Sequence, residues 1–322
     1  MRTTILILLM IFATVGLVYS QKSKPGFYIS GKISIETSFA GQNKFYQWYY
    51  DSTYYEKARL TKDFECLRVY YQSDTATVEA WLYKPIQISG KKLPIIIYNR
   101  GGMGNFGNLE ETNLVDFFKM AEAGYLVIAS KTRFSGANGK YDQHGGIDVY
   151  DIVNLQTIYK QLPYADTANI FMYGYSRGGQ NCYQASLRMK LNAMATAAGT
   201  ADWLDRTESR PEFAEGWTEE DTTQNFLGFR KTIPEWKTDS TQALIDRSAV
   251  YWAYKINTPV LIMHSRQDPK VLCSGSIKLA AELQKFGKEY SLIIYSEPSH
   301  SLPFKYFDSY DRMFEWFDKH KK

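Results

Sequence analysis

From residue 64 onward, short apolar runs alternate with longer stretches that carry one apolar face. Residues 66–71 and 76–83 alternate apolar and polar positions around Gln72-Ser73-Asp74-Thr75, the pattern of a β-hairpin with a polar turn. Residues 93–98 are continuously apolar and run into a Gly cluster, which suits a strand buried on both faces. Similar strands are expected at 125–130, 169–173, 193–198, 259–264 and 290–295. Helical spacing is found at 109–123, 147–162, 178–190, 274–286 and 306–320. Strands alternating with helices of this length predict an α/β fold, with a mostly parallel central sheet and helices on both faces.

Three stretches fall outside that period. Residues 21–62 are rich in Tyr, Lys and Ser and dense in aromatic residues from Phe45 to Tyr55. They read as an N-terminal extension that packs on the core. Residues from 200 to about 247 interrupt the alternation and read as a cap inserted into a single domain spanning 63–322. The start of the chain, 1–20, carries one basic residue, an apolar run and Val18-Tyr19-Ser20 before Gln21, the layout of an export signal. Its apolar run of about 15 residues is shorter than the roughly 20 that a spanning helix needs. A secreted or periplasmic protein with no later membrane segment is expected.

Composition narrows the picture. The 322 residues are 44% hydrophobic and 22% charged, which excludes disorder, collagen or coiled coil as the main state. The 38 basic and 34 acidic side chains are interspersed, giving a net charge of +4 and no basic face for nucleic acid. Three cysteines, Cys66, Cys182 and Cys273, are too few for a disulfide framework, although one bridge is left open. Clustered zinc spacings are absent, and neither metal nor cofactor is expected.

The chemistry concentrates at Gly174-Tyr175-Ser176-Arg177-Gly178, a G-x-S-x-G between an expected strand and an expected helix. The glycines allow a turn too tight for a Cβ, and Ser176 is presented at the start of the helix. A serine hydroxyl needs a neighbouring base, and there are four histidines. His144 precedes the serine, His320 is in the last three residues, and His264 ends a strand as a structural residue. His300, on the loop between the last strand and last helix, is the expected base. Asp268, on the loop after strand 259–264, is the expected acid, with Asp202 and Asp205 in reserve. For the oxyanion, the Arg177 N–H is one candidate donor, and the loop Asn99-Arg100-Gly101-Gly102 should supply another. Gly102 to Gly107 also matches G-x-G-x-x-G, but the next strand ends without an acid for a ribose, so a nucleotide site is set aside.

Taken together, Tyr98-Asn99-Arg100-Gly101-Gly102, Leu162-Pro163-Tyr164-Ala165-Asp166, the Ser176 motif, Arg247-Ser248-Ala249 and the Asp268 and His300 loops resemble the prolyl-oligopeptidase family of serine peptidases. The resemblance extends from Phe64 to Lys319 and implies an α/β-hydrolase fold. It also implies Ser176 as nucleophile, Asp268 as acid and His300 as base. Some members use a Tyr hydroxyl in the oxyanion loop. Here Arg100 stands at that position and Tyr98 two residues earlier. The large members carry a β-propeller whose blades take about 40–45 residues each. The segment before Pro85 is too short for one, so a propeller-less, dienelactone-hydrolase-like enzyme is expected. The implied activity is a peptidase on short peptides, with a carboxylesterase on small esters as the alternative and a non-catalytic binding module as a third reading. Trp203, Trp217 and Trp236 in the cap are candidates for an aromatic substrate wall.

Overall fold

A computed structural model describes residues 26–217 and 226–322; the segment 1–20 read as an export signal lies outside them. The described residues begin with β1 (Phe27–Ile33), α1 (Lys44–Tyr49) and α2 (Ser52–Leu60), then the hairpin β2 (Phe64–Ser73) and β3 (Ala76–Pro85). Next come β4 (Leu93–Asn99), α3 (Asn113–Glu122), β5 (Leu126–Ser130), α4 (Val149–Val153) and α5 (Gln156–Tyr159). They are followed by β6 (Ala165–Tyr175), α6 (Arg177–Ser186) and β7 (Ala193–Ala197). The cap holds α7 (Trp203–Ser209), α8 (Glu212–Glu215), α9 (Phe229–Thr232) and α10 (Ser240–Ile245). The chain closes with β8 (Val260–Ser265), α11 (Cys273–Lys285), β9 (Tyr290–Tyr295) and α12 (Ser309–Lys319).

The strands form one sheet in the order β1-β2-β3-β5-β4-β6-β7-β8-β9. The first three pairings are antiparallel and the remaining five are parallel. β5, β7 and β8 are buried along their whole length, as expected where helices cover both faces. On one face, Ile152, Tyr183, Leu279 and Leu283 from α4, α6 and α11 pack against the sheet. On the other, Tyr55, Phe117, Phe118, Met313 and Phe317 come from α2, α3 and α12. The cap has a small core of its own around Trp203, Phe213, Phe229 and Leu244. Among the described residues, no helix is long and apolar enough to cross a membrane. The three cysteines are buried and unpaired.

Two departures from the periodicity have local causes. The expected helix 147–162 is two short helices, because i→i−3 bonds from Leu155 to Ile152 and from Thr157 to Asn154 tighten the backbone between them. The aperiodic extension contains a strand and two helices. β1 pairs with the edge of β2, and α1 and α2 begin at Asn43 and Asp51, whose side chains accept from Tyr46 N and Tyr54 N.

The extension is also tied to the core through a buried acid. Asp116 on α3 accepts hydrogen bonds from the Tyr50 and Tyr310 hydroxyls, both at 3.0 Å. Burial pushes its carboxyl up to about 7, against the lowering effect of those hydroxyls. The folded chain therefore binds a proton here that the unfolded chain has lost, between about pH 4 and pH 7. Stability should fall as pH rises through that window and then level off. Thermal melts of Asp116→Asn across it should show a flatter decline; a slope equal to wild type would contradict this.

Candidate active site

Ser176 is the single residue between β6 and α6, with φ 55° and ψ −119°. This is left-handed backbone that a side chain seldom adopts, so the surroundings must hold it there. Ser176 N donates to Ala197 O at 2.8 Å, and the Ser176 carbonyl accepts from Gly179 N at 2.9 Å and Thr200 N at 3.3 Å. The flanking glycines are obligatory for steric reasons. A Cβ on Gly174 would lie 2.1 Å from Gly178 O, and one on Gly178 would lie 2.0 Å from Asn99 O. The motif thus brings β4, β6 and α6 close enough to lift the serine out at the carboxyl end of the sheet.

The loops after β8 and β9 converge on it. His300 Nε2 is 3.0 Å from Ser176 Oγ, and His300 Nδ1 is 2.8 Å from Asp268 Oδ2. The carboxylate is further held through Oδ1, which accepts from Lys270 N at 2.7 Å and Val271 N at 2.9 Å. Burial would raise the Asp268 carboxyl, but hydrogen bonds from His264 and His300 overcome it and hold the group well below the usual carboxylate range. Asp268 is therefore ionised beside His300.

His264 has more to do than its sequence position suggests. Its Nε2 lies 3.2 Å from Asp268 Oδ2 and 3.0 Å from the Val271 carbonyl, and its Nδ1 lies 2.7 Å from Ser276 Oγ. A carbonyl only accepts, so Nε2 carries the proton and shares it with the carboxylate, while Nδ1 accepts from the serine. The available signal was the spacing: His264 lies near the end of β8, four residues before Asp268.

The loop after β4 runs past the serine. A Cβ on Gly101 would lie 2.9 Å from the Tyr175 ring and 3.3 Å from Ser176 Cβ. Its backbone is fixed from beneath by Arg100, whose guanidinium donates to the carbonyls of Gly101, Gly104, Phe106 and Gly107. The Gly-rich segment 102–107 therefore turns the carbonyls of Gly104, Phe106 and Gly107 inward onto a cation, the opposite of a phosphate cradle. Arg177, buried behind the elbow, donates to both oxygens of Asp142 and to Asp148 Oδ2 at 2.8 Å. Asp142 also accepts from Gly104 N at 2.8 Å, linking the elbow to the Gly101 loop. The Arg177 N–H is the first of its helix and has no intrahelical acceptor. Tyr98, in contrast, packs in the core, its ring centroid 4.9 Å from that of Phe117 and 5.7 Å from that of Tyr173.

In the cap, Trp203 is enclosed by Phe213, Phe229 and His144, and only 1% of its surface is exposed. Trp217 and Trp236 lean on the same cluster. The aromatic-wall expectation is corrected for Trp203, whose ring is consumed by cap packing. The reserve acids Asp202 and Asp205 both pair with Lys278, at 3.2 and 3.0 Å. His144 is sealed among aromatic rings, and burial keeps its imidazole well below its ordinary value. Among the described residues, no group of His, Cys, Asp and Glu is placed to hold a metal ion.

A mostly parallel sheet with a strained serine after β6 and its partners on the loops after β8 and β9 is the α/β-hydrolase architecture. The chain belongs to the prolyl oligopeptidase family, whose sequence profile matches residues 113–322. It is similar to the uncharacterised peptidase YuxL of Bacillus subtilis, at 24% identity over 267 residues, covering 78% of this chain and 38% of the relative. It is similar to a second B. subtilis uncharacterised peptidase, YtmA, at 24% identity over 77% of this chain and 92% of the relative. The acylaminoacyl peptidase of Pyrococcus horikoshii shares the fold with a TM-score of 0.67, at 19% identity, over 92% of this chain and 48% of that one. The chain thus spans under half the length of YuxL and of the archaeal structure, and nearly all of YtmA.

Proposed function

We propose that the protein is a serine hydrolase that forms an acyl-enzyme on Ser176 and acts as a peptidase on short peptides. The observation that carries this is the unbroken contact from Ser176 Oγ through His300 to an ionised Asp268. In the proposed cycle, His300 Nε2 accepts the Ser176 proton as Oγ attacks the substrate carbonyl carbon. Asp268 holds the Nδ1–H tautomer and stabilises the imidazolium without taking its proton. The N–H groups of Arg177 and Gly101 receive the developing oxyanion; no hydroxyl donor from Tyr98 is invoked. His300 returns the proton to the leaving amine. A water then enters and loses its proton to the same nitrogen as it attacks the acyl carbon; the bond to Ser176 Oγ breaks, His300 returns the proton to Oγ, and the acid leaves.

Family membership and the similarity to YtmA over most of its length favour an amide substrate over an ester. The apolar leader at 1–20 supports export as the setting. A panel of dipeptidyl amides and short acyl esters tests the peptidase reading. Turnover of the amides is expected; turnover of esters alone would reject it in favour of a carboxylesterase.

A further inference from the structure

A cleft of about 180 Å³ lies between α7 and the loop that follows Asp268, lined among others by Thr200, Asp202, Arg206, Arg210 and Val271. Two of its walls touch the proposed machinery directly. Thr200 N donates to the Ser176 carbonyl, and Val271 N donates to Asp268. The His300 loop contributes no wall among the described residues. The leaving group must sit where His300 can protonate it, and the cleft lies away from the His300 loop, beside the backbone that holds Ser176 and Asp268.

The charges in the cleft are unevenly matched. Asp202 and Asp205 share Lys278, and Arg210 pairs with Glu212 at 2.7 Å. Arg206 forms no ion pair among the described residues. It is partly buried and stacks on Phe213 and Trp203 at 4.7 and 5.3 Å. It donates to the Lys270 carbonyl at 2.9 Å, and its Nε is sealed with no partner. Burial, and then the neighbouring Arg210, push the guanidinium down to about 10, more than the Asp268 and Glu212 carboxylates raise it. Planar, preorganised guanidinium groups suit carboxylates.

We infer that Arg206 binds a carboxylate on the acyl part of the substrate, making the site selective for an acidic side chain on the residue whose carbonyl is attacked. The inference rests on the proposed acyl-enzyme reading and names its substrate class. Coumarin amides of acetyl-Ala-Glu and acetyl-Ala-Gln, assayed with the full chain, differ only in that carboxylate. The Glu substrate should be favoured by about tenfold or more in kcat/KM, the scale of one charge-assisted hydrogen bond. Arg206→Met should bring the ratio to near one, and Arg206→Lys should keep part of it. Equal turnover of Glu and Gln by wild type overturns the inference. So does a preference seen only when free and amidated C-termini are compared, because the carboxylate would then be terminal. Binding of acetyl-Glu-amide and acetyl-Gln-amide to the Ser176→Ala protein gives the same comparison without turnover. Selective binding by a protein whose Ser176 resists acylating probes would separate failure of the acyl-enzyme reading from failure of this one.

Discussion

Changing His300 to Gln is expected to lower kcat by about four orders of magnitude or more, with the protein still folded. The proposal gives Nε2, 3.0 Å from Ser176 Oγ, two proton transfers in each half-reaction, and a glutamine amide in its place supplies no base. The backbone donors and the substrate contacts would remain, so residual turnover above the uncatalysed rate is expected rather than none. His300 is partly exposed, with 17% of its side chain accessible, and the buried Asp268 Oδ2 that it leaves keeps His264 Nε2 at 3.2 Å, so the fold should survive its loss. His264→Gln makes the informative contrast. It removes one charge-assisted hydrogen bond to Asp268 while Lys270 N, Val271 N and His300 remain. A loss of about 1.5 kcal/mol, roughly tenfold in kcat, is expected. Steady-state kinetics on both variants decide the matter; equal losses would mean that the base has been misassigned.

Arg177→Met should have the largest effect on stability. The Arg177 side chain is 5% exposed, and those of its two partners, Asp142 and Asp148, are fully buried. Burial works against its charge, yet the two carboxylates more than offset that and hold the guanidinium above its ordinary value. Removing it strands both acids, and breaking one buried pair in this way costs about 3–5 kcal/mol. That is a large share of a typical folding stability of about 5–15 kcal/mol. Asp142 also anchors Gly104 N, so the Gly101 loop should loosen and turnover fall along with the melting temperature. Neutralising the stranded acids as well, with Asp142→Asn and Asp148→Asn, should recover part of the loss. A single Arg177→Met variant melting with wild type would contradict this picture of the elbow.

The parallel half of the fold was legible because its strands are buried on both faces and so read as unbroken apolar runs, as in β4, β5 and β8. The elbow was legible because its geometry forbids a Cβ at Gly174 and Gly178, which leaves a fixed signature in the sequence. The extension was opaque for the opposite reason. α1 and α2 are six and nine residues long, too short to establish a period, and only their caps at Asn43 and Asp51 announce them. The roles of the Arg100 and Arg177 side chains were invisible, and that of His264 was hinted at only by its spacing from Asp268, because each depends on partners that the fold supplies. Arg100 needs the carbonyls of its own loop in one conformation, Arg177 needs the loop carrying Asp142 and Asp148, and His264 needs Ser276 on α11 to orient its ring. The cap tryptophans look alike in the sequence. Enclosure by Phe213, Phe229 and His144 is what makes Trp203 a core residue.

Intact-protein mass spectrometry after exposure to a fluorophosphonate, followed by peptide mapping, reads the nucleophile directly. A single adduct on the peptide containing Ser176 is predicted, present in wild type and absent in Ser176→Ala. An unlabelled wild-type protein with a normal melting temperature, or an adduct that persists in Ser176→Ala, would contradict an acyl-enzyme on Ser176.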